Sequence, residues 1–246
     1  MSASLISFQS GHRTTNNLYR WTAPNEPWLV KVYRGPSARE RCLCERELLQ
    51  LWHGHGLAVP AVHTRVFPQL AGLHYLVMTE LVGLDLSALL QSPDAPHVKL
   101  DCLAKVFRAN RRRHELALSC RDIRLIHPDL NSRNVLICDG QPWHIDLESV
   151  CRGATLTDSI AIEIAKLCRW VARDMGRAWL DDAVRLLLEC YAGQEWLLSR
   201  IIDRTSARSF QFIHRWRDRT FKAAFPDEVT KYDVSDCLRR RLPDAA

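Results

Sequence analysis

Three polar side chains in the second half of the chain have the types and the spacing that metal-assisted phosphoryl transfer requires. Asp129 and Asn134 lie five positions apart in the segment His-Pro-Asp-Leu-Asn-Ser-Arg-Asn, and Asp146 follows seventeen positions after Asp129. A nucleoside triphosphate concentrates negative charge, so its site needs Mg²⁺, which prefers hard oxygen ligands. Asn134 and Asp146 are predicted to bind this metal. Asp129 is predicted to orient the acceptor hydroxyl and accept its proton.

The residues around this set predict the local structure that brings the three side chains together. Residues 135–138 form a short apolar run, Asp139-Gly140 is a hairpin turn signal, and residues 142–147 return as a second strand. A loop, a hairpin and a strand end would gather the three side chains around one magnesium ion. The alternative is that they only cap turns and end a solvated strand.

A lysine inside an apolar strand predicts a second part of the site. Lys31 interrupts the apolar run of residues 28–33, and a buried ammonium without a partner is costly. A phosphate and a carboxylate would pair it. Residues 38–55 have helical spacing, and Glu45 on that helix is the better partner, with Glu47 in reserve. The alternative is an edge-strand lysine whose stem reaches water.

Two further segments are candidates for binding the nucleotide. Residues 10–17 precede Lys31 at the distance of a phosphate loop but contain one glycine, Gly11, against three in the usual fingerprint. The segment is therefore either a phosphate loop, using Gly11 amides and nearby hydroxyls, or a polar hairpin turn. Residues 75–83 predict a strand that leads into a hinge at Glu80 to Val82, where backbone groups would bind adenine.

These residues together resemble the bacterial lipopolysaccharide kinase family, which contains Kdo kinases and core heptose kinases, within the wider protein-kinase-like fold. The resemblance runs from about Gly11 to about Lys166, and it depends most on the Asp-Leu-Asn run at Asp129 and the Ile-Asp pair at Asp146. It implies ATP-dependent phosphorylation of a sugar hydroxyl of the lipopolysaccharide inner core. It also implies ATP and Mg²⁺ as cofactors and a place at the cytoplasmic face of the inner membrane.

Departures from the protein-kinase pattern make a protein acceptor the less favoured one. Asn131 stands two positions after Asp129, where protein kinases of the eukaryotic type usually carry lysine. Leu147 and Glu148 follow Asp146 in place of Phe-Gly, and no Ala-Pro-Glu segment follows to anchor an activation loop. Arg133 and Arg152 are candidates for contacting a phosphate or the acceptor's carboxylate.

Composition agrees with a globular protein kept in the cytoplasm. The chain has 246 residues, and it contains neither a run of about 18 apolar residues nor a signal-peptide pattern at its N-terminus. Nine cysteines without a Cys-x-x-Cys pair favour reduced thiols over disulfides or a zinc site.

Positive charge predicts an anionic partner. The formal net charge is +6, and cations gather at residues 108–114, 204–222 and 239–241. Residues 208–222 interleave cations with aromatics, which suits either an interfacial helix on acidic headgroups or a solvated helix with an apolar face. Nucleic acid is not expected, because no nucleic-acid-binding signature is present.

The sequence as a whole predicts an α+β, protein-kinase-like fold of two lobes. A small β-rich lobe would cover residues 1–80 and a mainly helical lobe residues 81–246. Helices are predicted at residues 158–171 and 181–191 of the second lobe, where Asp158 would tie down the catalytic loop or cap a helix. A protein Ser/Thr kinase-like enzyme and an inactive kinase-like binding module are the alternatives.

Overall fold

A computed structural model describes residues 5–8, 16–22, 27–206, 216, 220, 225 and 227–242. The chain forms two compact units, the first comprising Met1–Gly83 with Trp143–Val150 and the second Leu84–Pro142 with Cys151–Ala246. The first unit is built on an antiparallel sheet and the second is mainly helical, which confirms the predicted α+β class.

The first unit contains a five-stranded antiparallel sheet in the order β1-β2-β3-β5-β4. Its strands are β1 (Leu5–Phe8), β2 (Asn17–Thr22), β3 (Pro27–Val32), β4 (Val62–His63) and β5 (Tyr75–Thr79). Helix α1 (Ala38–Gly54) connects β3 to β4. The predicted strand at residues 28–33 and the predicted helix at residues 38–55 are therefore present, each with its end shifted by one residue.

The first unit is stabilised by side chains buried on the sheet and by a buried stripe of helix α1. Trp21, Val30, Val32 and Val77 form the centre of a buried cluster on the sheet. Helix α1 buries one stripe at helical spacing, which is the pattern that predicted it. The stripe consists of Cys42, Glu45, Leu48, Leu49 and Trp52.

The second unit begins with a short strand and a hairpin. The sheet order is β6 (Leu84–Asp85), β7 (Val135–Cys138) and β8 (Gln141–His144). Asp139 and Gly140 join β7 to β8 with φ of 50° and 70°. Two successive positive φ values are those of a type I′ turn, so the structure contains the hairpin that the Asp-Gly pair predicts. Within β8 the chain passes from the second unit to the first.

Six α-helices lie in the described part of the second unit. They are α2 (Leu86–Gln91), α3 (Pro96–Cys120), α4 (Leu156–Met175), α5 (Leu180–Cys190), α6 (Glu195–Ser206) and α7 (Lys231–Arg241). Helix α4 lies at the centre, because it contacts α2, α3, α5, α6 and α7. None of the helices in the described part of the chain combines the length and the apolar composition that crossing a bilayer requires.

Candidate active site

Lys31 lies on β3 with its ammonium among three carboxylates of the first unit. Its Nζ is 2.7 Å from Glu45 Oε2, 2.6 Å from Asp146 Oδ1 and 2.7 Å from Glu148 Oε1. Lys31 is only 7% exposed, so water contributes little to its solvation. Burial alone would lower the pKa of Lys31, but the nearby carboxylates outweigh it and raise the pKa above its ordinary value. The side chain is therefore a fixed positive charge.

Glu45 is the partner that the helical spacing of α1 favours over Glu47. The buried stripe of α1 carries Glu45 toward β3, whereas Glu47 is exposed. The Tyr33 hydroxyl also donates to Glu45 Oε2. Burial raises the pKa of Glu45, and the charge of Lys31 opposes that shift. Lys31 and Tyr33 together hold the Glu45 carboxylate in one orientation.

Asp146 follows β8 in a backbone conformation that side chains other than glycine seldom adopt. Its φ is +66°, in the left-handed region, where Asp and Asn are better tolerated than other residues. The strand before it is fixed to the first unit, since the His144 N–H donates to the Ala58 carbonyl and the His144 ring lies edge-on to Trp52. A strained residue between fixed neighbours is typical of a functional position.

Glu148 belongs to the same cluster, although the sequence singled it out only as a departure from the protein-kinase pattern. Its Oε1 contacts Lys31 and accepts from Asn16 Nδ2 at 2.5 Å, and its Oε2 accepts from Arg41 Nη1 at 2.6 Å. Glu148 thus joins β3, α1 and the residue before β2. The available signal was its position two residues after Asp146.

The oxygens of the first unit suit a hard cation. Glu45, Asp146 and Glu148 each present a carboxylate oxygen, and these three oxygens lie within 4.8 Å of one another. Carboxylate oxygens are the ligands that Mg²⁺ takes, so this donor set fits the metal that the sequence predicts at Asp146. The ammonium of Lys31 balances part of the excess negative charge.

The predicted catalytic loop lies in the second unit and is fixed by bonds from its own side chains. The Asp129 N–H donates to His127 Nδ1 at 3.2 Å, and the Asp129 carbonyl accepts from Asn131 Nδ2 at 3.0 Å and from Asn134 Nδ2 at 2.9 Å. Asn131 Oδ1 also accepts from the Arg133 N–H. Because Asn134 uses its nitrogen on the loop, its amide oxygen is oriented as the group that can take a metal.

The Asp129 carboxylate points outward from this rigid backbone. Its side chain is 60% exposed, and its Oδ1 accepts a short hydrogen bond from Lys166 Nζ of α4. Sequence reasoning missed Lys166, because nothing in the pattern of α4 distinguishes it from a solvated lysine. The pair gives Asp129 a neighbouring positive charge that Asn131 does not supply.

A buried ion pair anchors the start of the loop. Arg113 of α3 and Glu163 of α4 form a two-pronged pair, and both side chains are almost completely buried. Glu163 Oε2 also accepts from the His127 N–H at 3.0 Å, and Arg113 donates to the Leu125 carbonyl at 2.7 Å. Burial would raise the pKa of Glu163, but Arg113 and then His114 bring it well below its ordinary value.

Of the two roles considered for Asp158, tying down the catalytic loop is the wrong one, because Glu163 accepts the bond from the loop. Asp158 instead pairs with Arg200 and Arg204 of α6, and Thr155 provides the N-cap of α4. Both acids lie on α4, but only Glu163 faces the buried guanidinium of α3.

Some of the remaining predicted residues lie outside the described part of the chain, and the contacts of others are known. Gly11 lies outside the described residues, as do most of residues 208–222. The Glu80 carboxylate is held by Arg20 Nε at 2.7 Å and 2.8 Å, and the Glu80 N–H donates to the Pro27 carbonyl. Adenine recognition by Glu80 would therefore use its backbone carbonyl. Val82 is 76% exposed, which leaves its side chain available to solvent.

Two arginines were candidates for the acceptor, and both are exposed. The guanidinium of Arg133 lies 5.7 Å from the centre of the Trp170 ring. Arg152 follows the first unit's acidic segment. The contacts within the chain do not show whether either arginine binds the acceptor, so both assignments stay predictions.

One comparison with known proteins agrees with this chemistry. Residues 6–117 match the family described as "Phosphotransferase enzyme family". Among solved structures, one titled "WaaP in complex with acyl carrier protein" is 17% identical, with a TM-score of 0.47, and the alignment covers 80% of this chain and 90% of that one. Comparison with curated proteins gives no match. The match of residues 6–117 supports the prediction of a phosphotransferase enzyme.

Proposed function

We propose that this protein transfers the γ-phosphoryl group of ATP to a sugar hydroxyl of the lipopolysaccharide inner core. The observation that carries the proposal is Lys31, a buried ammonium bonded at once to Glu45 and Asp146. An ammonium held in that way is positioned to bind phosphate oxygens, and an acid beside it is positioned to bind the metal that accompanies them.

The residues assigned to the nucleotide and its metal have separate roles in this proposal. Lys31 binds the α- and β-phosphates, and Glu45 fixes the lysine. Asp146, together with Asn134 of the second unit, holds Mg²⁺, which when bound neutralises charge on the phosphate oxygens. Backbone groups of Glu80 and Val82 bind adenine. Gly11 is retained as a candidate for contact with the phosphates.

The residues of the catalytic loop act on the acceptor. The acceptor oxygen forms a bond to the γ-phosphorus while the bond from that phosphorus to the β,γ-bridging oxygen breaks, and ADP leaves. The hydroxyl proton passes to the Asp129 carboxylate. Lys166 holds this carboxylate in place, and His127 supports the loop beneath it.

A sugar acceptor is favoured over a protein acceptor by the loop itself. Asn131 occupies the position of the usual protein-kinase lysine, and its amide is used to fold the loop, at the Asp129 carbonyl and the Arg133 N–H. The Asp-Leu-Asn run and the Ile145-Asp146 pair resemble those of lipopolysaccharide kinases. The acceptor class places the enzyme at the cytoplasmic face of the inner membrane.

The experiment that tests this function follows the label of γ-labelled ATP. Purified protein is incubated with Mg²⁺, labelled ATP and lipopolysaccharide whose inner core lacks phosphate. We expect label in the glycolipid with the wild type and none with Asp129→Asn. Label on protein would favour a protein kinase, and nucleotide binding without turnover would favour an inactive binding module. Either result would contradict the proposal.

A further inference from the structure

A groove on the first unit is lined by exposed side chains of α1, whereas Glu45, which contacts Lys31, lies on the buried stripe of that helix. It has a volume of about 560 Å³, within the range of ligand-binding clefts. One wall is the exposed stripe of α1 that contains Arg39, Leu43 and Arg46, at helical spacing. The other wall includes Arg65 and Val66 after β4, and Leu73 before β5.

The groove is positively charged. Three arginines line it, and its lining contains no aspartate or glutamate. Over the part of the chain that the structure describes, Arg39, Arg46 and Arg65 form no ion pair with a carboxylate. Arg65 stacks on Trp21, with 4.1 Å between its guanidinium carbon and the ring centre, so its position is fixed. Positive charge held without a counter-charge favours an anionic occupant.

The groove also presents apolar side chains to solvent. Val66 is 75% exposed, Leu43 42% and Leu73 38%. Leu43 lies between Arg39 and Arg46 along α1, and Val66 follows Arg65. The surface therefore combines apolar and cationic side chains. A ligand that complements it needs apolar groups along one face and carboxylates beside them.

We propose that this groove binds an acidic, amphipathic segment of a partner protein. A helix of that kind places apolar side chains along the groove and carboxylates against the arginines, as helices do in other hydrophobic grooves. A concave surface fits a helix better than a bilayer, which is contacted by a projecting apolar face with cations around it. The lining also lacks the glycine-rich loop that commonly holds a nucleotide phosphate.

An occupant of this groove would contact the helix that carries Glu45. Arg39, Leu43 and Arg46 project from α1 on one side, while Glu45 projects from the other side to Lys31. A partner that holds α1 therefore also fixes the Lys31–Glu45 pair. Binding itself requires no phosphoryl transfer, so it can be tested whether or not the proposed reaction is correct.

The test measures the binding of designed peptides to the full chain by fluorescence anisotropy. The probe is a labelled helix of about 12 residues, three turns long, with leucines along one face and glutamates on the remainder. One comparison peptide replaces the glutamates by lysines, and another replaces the leucines by serines. Vesicles of phosphatidylglycerol and inorganic pyrophosphate are tested separately. The variant is Arg39→Glu/Arg46→Glu.

Its matched control is Arg108→Glu/Arg112→Glu, which makes the same charge change at two exposed positions of α3 in the second unit. We expect the acidic peptide to bind the wild type and the control in the micromolar range. The groove variant should bind more than about tenfold more weakly, since its glutamates repel those of the peptide. Neither comparison peptide should bind comparably.

If the groove variant does not fold, as judged by thermal unfolding, Val66→Glu replaces it, because this exposed side chain can change without disturbing the core. Equal binding of the acidic peptide to the wild type and the folded groove variant would overturn the proposal, as would no binding to the wild type. Vesicles or pyrophosphate that bind only through the groove arginines, where the peptide does not bind, would overturn it in favour of a membrane or phosphate site.

Discussion

Lys166 of α4 donates a short hydrogen bond to the carboxylate of Asp129, the acid at the start of the catalytic loop. The two residues lie 37 positions apart, so the fold of the second unit and not local sequence creates the contact. The backbone of Asp129 is already fixed by His127, Asn131 and Asn134. Lys166 therefore fixes the one part of Asp129 that the loop leaves free to rotate.

Removing the lysine should affect turnover more than nucleotide binding. We expect Lys166→Met to lower kcat about tenfold or more, with the KM for ATP little changed, because the carboxylate loses its fixed orientation. Lys166→Arg should retain most of the activity. Steady-state kinetics measures both constants.

The matched control for this variant is Arg173→Met. Arg173 is a cation of the same helix, but it stacks on Trp170 and does not contact Asp129. Its kcat should equal that of the wild type. An unchanged kcat in Lys166→Met, or an equal loss in the Arg173 variant, would show that Lys166 has no specific role.

The buried Lys31–Glu45 pair predicts a coupled loss of stability. Lys31→Met leaves the Glu45 carboxylate buried without its cation, and we expect the free energy of unfolding to fall by about 3–5 kcal/mol. Adding Glu45→Gln removes that charge and should recover part of the loss, while activity stays absent. Urea unfolding of the two single variants and the double variant measures the coupling. Losses that simply add would contradict an interaction between these side chains.

The Arg113–Glu163 pair predicts how stability depends on pH. The pKa of Glu163 in the folded protein lies below its ordinary value of 4.5, so the unfolded chain takes up the proton first as the pH falls. The pair thus contributes its full stability above about pH 4.5 and loses it progressively at lower pH. Glu163→Gln should lower the free energy of unfolding at pH 7 by about 3–5 kcal/mol.

Between pH 4.5 and pH 3, the free energy of unfolding of Glu163→Gln should also fall less than that of the wild type. The reason is that the variant has no carboxylate at position 163 to take up a proton on unfolding. Chemical unfolding at several pH values measures both effects. Glu189→Gln, in an exposed pair with Arg185, is the control and should leave the free energy of unfolding nearly unchanged. If the free energy of unfolding falls equally at low pH in the wild type and in Glu163→Gln, this account is wrong.

Short-range patterns predicted much of the first unit and of the hairpin. The apolar run around Lys31, the stripe of α1 and the Asp139-Gly140 turn each depend on neighbours in sequence, so they could be identified without the fold. Helix α3 could not, because its buried face includes Asn110, Arg113 and His114. Buried polar residues break the apolar periodicity that identifies a helix.

In the site as well, the predictable contacts were those between residues near each other in sequence. Lys31 and Glu45 were paired because a buried ammonium requires a carboxylate and the helix has one at the correct spacing. Glu148 and Lys166 were missed, since their importance comes from contacts made by distant elements. Asp158 was singled out because its place at the start of α4 was visible in the sequence. Glu163 was not, because the Arg113 that it pairs with lies on a distant helix.

The central claim is a division of roles, in which Asp146 serves the metal-bound nucleotide and Asp129 serves the acceptor. Calorimetric titration of ATP, with and without Mg²⁺, onto the wild type, Asp129→Asn and Asp146→Asn tests it most directly. Asparagine is chosen at position 146 because it tolerates the φ of +66°, whereas alanine would add strain. We predict that Asp129→Asn binds as the wild type does, and that Asp146→Asn loses the Mg²⁺-dependent part of the affinity. Equal losses in both variants, or wild-type binding in both, would contradict the claim.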